Sequence, residues 1–329
     1  MSTVHSFTEY QDHPKVRGGP EAMETDRVPP HNRFHTVSLE TLRGMALPDR
    51  EMVLSPILPS KGLGMIFAQR GIGKTQVGIG IAHATSTGSR FLRWHAPKPR
   101  RVLYIDGEMP AKALQERVNM LIEGGGAMPP VDFFRFLAMD MQELGTSINL
   151  ARPEDQLAIE AELQGAELVV FDNLFTLVSA GRENDAESWD AMQAWLLRLR
   201  RQGVSVLMVH HAGRGENARG TSKREDVLDT VIHLRRPDDY MTSEGARFEV
   251  HLTKARGIFG DEAAPFEAKL ETLDGKALWT TRALPDLEAE QVLELTQARM
   301  SVRDIASEIG ISKSKVARVQ AKLKEEGRL

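Results

Sequence analysis

The chain has no cysteine in its 329 residues. That excludes disulfides, thiolate metal sites and a cysteine nucleophile, and it is the usage expected of a cytoplasmic protein. Long apolar runs are missing too. Stretches such as Leu168–Phe171 and Val204–Val209 are strand-sized, far short of the roughly 20 residues a bilayer demands, so no membrane span is expected. The start of the chain is acidic and histidine-bearing, without a basic segment leading into an apolar one, and no secretory signal is read there. Nor is there a surplus of positive charge: 42 Lys and Arg stand against 46 Asp and Glu, a net charge of −4, so the molecule is no general polycation for nucleic acid and any DNA contact must be local. What is present, 41% hydrophobic and 27% charged residues, is a globular composition with enough apolar material for a sizeable core.

Residues 1–37 contain Pro14, Pro20, Pro29 and Pro30 and follow neither a 2.0 nor a 3.6 period, which predicts a flexible arm. From residue 38 a short helical pattern (Leu39, Leu42, Met45) leads to a strand over Gly62–Ala68, a glycine turn and a helix. Strand-like segments then alternate with amphipathic ones: Arg101–Asp106 with Ala111–Glu123, Phe133–Ala138 with Pro153–Leu163, Leu168–Asp172 with Ser188–Arg201, then Ser205–His210. Nearly all-apolar strands between helices imply a mostly parallel α/β sheet covered on both faces. Val231–Arg235, Phe248–Lys254 and Ala277–Thr281 alternate more and lie closer together, so the sheet is expected to finish antiparallel. The resulting division is an arm at 1–37, an α/β domain at 38–284 and a small all-helical module at 285–329.

The strongest chemical signal is Ala68-Gln69-Arg70-Gly71-Ile72-Gly73-Lys74-Thr75 at a strand-to-helix junction, continuing into Gln76. Consecutive backbone N–H groups of such a loop cradle phosphate oxygens, Lys74 reaches the β- and γ-phosphates, and Thr75 ligates magnesium; ATP and Mg²⁺ are the ligands this predicts. Ala68 stands where the usual phosphate-loop pattern begins with glycine. A second element, Leu168-Val-Val-Phe-Asp172, delivers Asp172 at the end of an apolar strand, the place of a metal-holding aspartate. Asn173, not Glu, follows it, and in this the sequence resembles RecA-like ATPases, which carry the water-activating glutamate at the end of the strand after the phosphate-loop helix, and not AAA+ ATPases, which carry it directly after this aspartate. There the sequence reads Asp106-Gly-Glu108-Met-Pro, making Glu108 the candidate general base and Asp106 its rival; capping the next helix is the structural alternative for Glu108. A further strand ends in His210-His211, which point to opposite faces and have no acidic cluster beside them, so a γ-phosphate sensor, assigned to His210, is preferred to a metal site.

Together with Arg219-Gly-Thr-Ser222 and Lys254-Ala-Arg256-Gly257, these motifs make residues 39–282 resemble the RepA-like branch of RecA-fold ATPases, which includes plasmid-type hexameric replicative helicases. The resemblance implies a RecA-like core, a homo-oligomeric, hexameric ring, and DNA as partner. It also implies Arg214, Arg219, Lys223 and Arg224 as channel residues facing DNA, and Lys254 and Arg256 as groups reaching the neighbouring subunit's nucleotide.

The last forty residues add something to that pattern. Residues 291–329 carry eight basic and five acidic side chains, a local charge of +3. Ser301–Ile309, Gly310 and a second helix capped by Ser312 read as a helix-turn-helix, with Ile305, Ile309, Ile311, Val316, Val319 and Leu323 as its core and Lys313, Lys315 and Arg318 facing DNA. The alternative is a helical hairpin that packs on the core. Two functions follow: an ATP-driven DNA motor of plasmid or mobile-element replication, or an ATP-switched DNA-binding regulator or loader that does not unwind, with a recombination-mediator ATPase as a third.

Overall fold

Residues 34–178, 186–211, 225–274 and 276–329 are described by the computed structural model. The chain divides into two units, residues 1–49 and 50–329. In the first, Ser38 accepts the Thr41 N–H and caps a six-residue helix, α1 (Leu39–Gly44). The expected arm at 1–37 lies almost wholly outside the described residues.

The second unit opens with a hairpin, β1 (Met52–Leu54) and β2 (Leu58–Pro59), followed by β3 (Leu63–Ala68) and α2 (Lys74–Thr87). A second small hairpin, β4 (Arg90–Phe91) and β5 (Trp94–His95), precedes β6 (Val102–Asp106), α3 (Ala111–Glu123), β7 (Phe134–Ala138) and α4 (Pro153–Glu162). Then come β8 (Leu168–Asp172), the short α5 (Leu174–Leu177), α6 (Ala186–Arg201), β9 (Ser205–His211) and β10 (Thr230–Arg235). The meander β11 (Arg247–Ala255), β12 (Phe266–Leu273) and β13 (Lys276–Ala283) is followed by α7 (Leu284–Gln297), α8 (Val302–Glu308) and α9 (Lys313–Glu325).

Nine strands form one sheet in the order β13-β12-β11-β10-β3-β9-β8-β6-β7. From β10 to β7 every neighbour is parallel, and β10 to β13 pair antiparallel, as the tighter spacing of the late strands predicts. This is the mostly parallel, RecA-like α/β fold expected. Alternation along each strand splits the core in two. Ile66, Ala68, Val102, Tyr104 and Val209 pack on one face with Val77, Ile79 and Ile81 of α2. Met65, Phe67, Leu103, Phe171 and Met208 pack on the other with Ile159 of α4 and Trp195 and Leu199 of α6. Because both faces are covered, these strands read as continuous apolar runs.

One strand without a clear sequence signal is β12. Its Glu-Ala-Lys-Leu-Glu stretch is made of good helix formers, and pairing with β13 along its whole length and with β11 over Phe266–Lys269 overrides that local preference. The C-terminal residues form three helices around their own apolar cluster, with Val292, Ile305, Val316 and Leu323 buried and Ile309, Ile311 and Val319 packed against them. Ser301 and Ser312 accept the Asp304 and Lys315 N–H groups, each at 3.2 Å, and Gly310 makes the turn between α8 and α9 at φ +67°. The sequence pattern begins the module's packing at Ser301; α7 contributes as well.

Candidate nucleotide site

The phosphate loop leaves the buried end of β3 and enters α2 without a side-chain cap. Gly71 (φ +75°) and Gly73 (φ +113°) hold positive-φ conformations that side chains rarely adopt, and that backbone is what calls for glycine at both positions. Ile72 is buried, Gln69 and Arg70 are exposed, and Thr75 and Gln76 are half-buried at the start of α2. Lys74 is buried and donates from Nζ to the carbonyls of Ala68 (2.9 Å) and Gln69 (2.7 Å). Burial pushes its pKa down to about 8, against the charges of Asp172 and Glu108, which raise it. Arg236, just past β10, donates to the Gly71 carbonyl at 3.1 Å while its guanidinium lies 3.8 Å from the centroid of the Tyr240 ring.

Two strands away, β8 carries Asp172 to the same edge of the sheet. Tyr104 Oη donates to its Oδ2 at 2.7 Å, and the Thr75 hydroxyl also bonds it. Burial raises the Asp172 pKa, opposed by those two hydrogen bonds and by Lys74. A buried carboxylate bonded to a hydroxyl is a hard, all-oxygen donor pair, so Thr75 and Asp172 fit magnesium.

On the next strand Asp106 and Glu108 take different roles. Asp106 is 1% exposed, and its Oδ1 accepts the backbone N–H groups of Glu108 (3.1 Å) and Met109 (2.7 Å). It shapes the turn. Burial lifts its pKa to about 6, those two hydrogen bonds opposing the lift. The Glu108 side chain is 56% exposed and reaches into the site, where its carboxylate accepts a hydrogen bond from the Asn173 amide. His211 Nε2 stands 3.6 Å from the same carboxylate.

That proximity moves the histidine assignment. His210 aligns with Phe67 and His211 with Ala68 in the β9–β3 ladder, so the two rings lie on opposite faces. His211 faces the α2 side with Glu108, whereas His210, named from the sequence, falls on the α6 side. Burial and Lys74 lower the His211 pKa, and Glu108 raises it.

Lys254 and Arg256 are not at this edge. Lys254 pairs with Val231, which lies across from Met65, three residues or about 10 Å of strand from Ala68, and the Arg256 N–H donates to the Asp229 carbonyl beside the beginning of β3, five residues or about 16 Å of strand from Ala68. Their side chains instead bond backbone carbonyls: Lys254 those of Glu225 and Asp226, and Arg256 that of Asp226 at 2.8 Å. Arg214, Arg219, Lys223 and Arg224 lie outside the described residues. Lys313, Lys315 and Arg318 are exposed on α9, with Lys315 paired to Glu288 of α7 at 2.6 Å. Sequence reasoning missed Tyr104, Asn173 and Arg236 as members of the site. Asn173 had a signal, its place next to the strand-end aspartate; Arg236 had none, being brought in by the parallel pairing of β10 with β3.

A cavity of about 450 Å³ opens beside the phosphate loop, running along α2 from Gln76 to His83 with Arg117 of α3 and Leu270 and Trp279 of the meander on its other walls.

A phosphate loop on the central strand, a buried strand-end aspartate two strands off and a glutamate on the next define a P-loop ATPase of the RecA-like fold. A family model described as AAA domain (AAA_25) matches residues 28–217, more than half of the chain, and the chain belongs to that family. Among solved structures it is similar to the KaiC-like protein PH0186 from the hyperthermophilic archaeon Pyrococcus horikoshii OT3, at 11% identity and TM-score 0.46, over 70% of this chain and 99% of that one. It is also similar to the flagellar accessory protein FlaH from Methanocaldococcus jannaschii, at 10% identity and TM-score 0.47, over 68% of this chain and 90% of that one. No curated protein sequence matches the chain. No helix among the described residues is long and apolar enough to cross a membrane.

Proposed function

We propose that this ATPase is a DNA-associated motor of the RepA-like helicase kind, working as a homo-oligomeric, hexameric ring with its nucleotide shared between neighbouring subunits. The carrying observation is how segment 212–224, which holds the four candidate channel residues, is bracketed. At one end His211 stands by the carboxylate of Glu108; at the other, the carbonyls of Glu225 and Asp226 are bonded by Lys254 and Arg256. A change at either nucleotide-sensing group therefore bears on the DNA-facing segment.

In this reading the loop amides of residues 69–76 and Lys74 bind the phosphates, and Thr75 and Asp172 hold magnesium, which supplies charge neutralisation on the phosphate oxygens. Glu108 accepts a proton from the attacking water as its oxygen bonds the γ-phosphorus. The bond from that phosphorus to the bridging oxygen breaks, and its electron pair leaves with ADP. His211, in place of His210, senses the γ-phosphate. Lys254 and Arg256, set back along the sheet from their own phosphate loop, act on the neighbour's. The cavity beginning at Gln76 takes the nucleoside, with Trp279 and Arg117 beside the base.

Residues 285–329, as a separate helix-turn-helix module, favour a second reading, an ATP-switched DNA-binding regulator or loader. ATPase activity with and without single-stranded DNA, run beside a fork-unwinding assay, separates the two. Stimulation with unwinding supports the motor; duplex binding and ATP turnover without unwinding support the switch.

A further inference from the structure

Asn173 makes more bonds than its place in the chain explains. Its Oδ1 accepts the Thr176 N–H at 3.2 Å and so caps α5, while its own carbonyl accepts the Thr176 hydroxyl at 3.1 Å. Serine, threonine or aspartate would cap that helix as well. Only an amide also has an N–H to spare, and Nδ2 gives it to the Glu108 carboxylate. The two bonds settle the orientation of the amide. Reversing it would set its oxygen against a carboxylate and its NH2 against the Thr176 N–H.

Glu108 has few other restraints. Its backbone is held by Asp106 Oδ1, but its side chain is mostly exposed, and the other side chain paired with it, His211 at 3.6 Å, attracts it as an ion pair only when the imidazole is protonated, a state that burial and Lys74 disfavour. Lys74, Asp172 and Asp106 act on it through charge alone. A glutamate on a turn has several rotamers to lose, and ordering it costs conformational entropy. The Asn173 amide is rigidly placed because its other end is tied into α5, so the carboxylate is aimed from a fixed point.

We infer that Asn173 is a positioning residue for ATP hydrolysis: its side-chain amide holds the Glu108 carboxylate in register with the phosphate loop. The inference rests on Glu108 being the general base.

The test is a double-mutant cycle in the full chain with Asn173→Ser, which keeps a capping oxygen but removes the second polar atom that reaches Glu108, Glu108→Gln, and the two combined. Because a misplacement of about 1 Å can cost about 100-fold in rate, kcat for Asn173→Ser should fall about 10- to 100-fold while KM for ATP and the thermal midpoint stay near the parent's. In the Glu108→Gln background the serine should add less than about twofold, since the group it positions is already gone. If the serine variant folds poorly, Asn173→Thr, a neutral cap that likewise places no donor at the Nδ2 position, takes its place with the same expectations. Equal losses in both backgrounds, a rise in KM that matches the fall in kcat, or a faster basal rate would each overturn the proposal. Parental hydrolysis by Glu108→Gln alone would instead remove Glu108 as the base, a failure the cycle reports separately.

Discussion

Asp106 is the rival carboxylate, and replacing it with asparagine separates a turn-forming acid from a catalytic one. Asparagine keeps the oxygen that accepts the Glu108 and Met109 N–H groups and removes only the charge. In the folded protein burial raises the Asp106 pKa to about 6 from an ordinary 3.8. The native state thus holds this proton more tightly than the unfolded chain. The stability it contributes is fully present below pH 3.8 and is lost as pH rises through 6, at about 1.4 kcal/mol for each pH unit by which the two values differ. The whole gap corresponds to about 3 kcal/mol, and between pH 5 and pH 8 the loss is about 1.4 kcal/mol. Asparagine has no such dependence. Unfolding midpoints of parent and Asp106→Asn, measured without nucleotide, should therefore diverge by about 2 °C in favour of the variant between pH 5 and pH 8. Its ATP turnover should stay within a few-fold of the parent's. Parallel midpoints across that range would refute the buried, proton-holding role, and a loss of turnover of about 100-fold or more would transfer the general base to Asp106.

Four further outcomes follow from the site. Lys74→Ala should lose ATP turnover, because the loop amides remain but the cation opposite the γ-phosphate is gone; normal turnover would remove the phosphate-loop reading. Arg256→Ala and Lys74→Ala should each be inactive alone and recover part of the activity when mixed, since mixed rings pair an intact loop with an intact arginine; no recovery, with specific activity independent of concentration, excludes a shared site. Trp279→Ala should raise KM for ATP several-fold and leave kcat close to the parent's, because it lines the cavity and not the phosphate end. Changing Lys313, Lys315 and Arg318 together to Ala should flatten the salt dependence of duplex binding by about 0.9 log–log units for each phosphate no longer neutralised, with basal ATPase retained; an unchanged slope would make the module a packing element.

Local order along the chain was enough to read the alternating strands and helices, the phosphate loop and the strand-end Asp172, because each depends on periodicity or on backbone conformations that only certain residues adopt. Gly71 and Gly73 are legible for that reason, as are the Ser301 and Ser312 caps and the Gly310 turn of the C-terminal helices. What only the tertiary structure decided are the choices between neighbours. His210 and His211 are equivalent in the sequence, and the β9–β3 register alone sends His211 to Glu108. Asp106 and Glu108 are both acids on one turn, yet one is enclosed by the sheet and the other stands open beside Asn173. Nothing in the sequence says which end of the sheet Lys254 and Arg256 occupy; the antiparallel pairing of β11 with β10 sets Lys254 across from Val231 and carries Arg256 beyond it, away from their own phosphate loop. In each case the deciding quantity is a side chain's face or its distance across strands, and that is set by which strands pair and in what register.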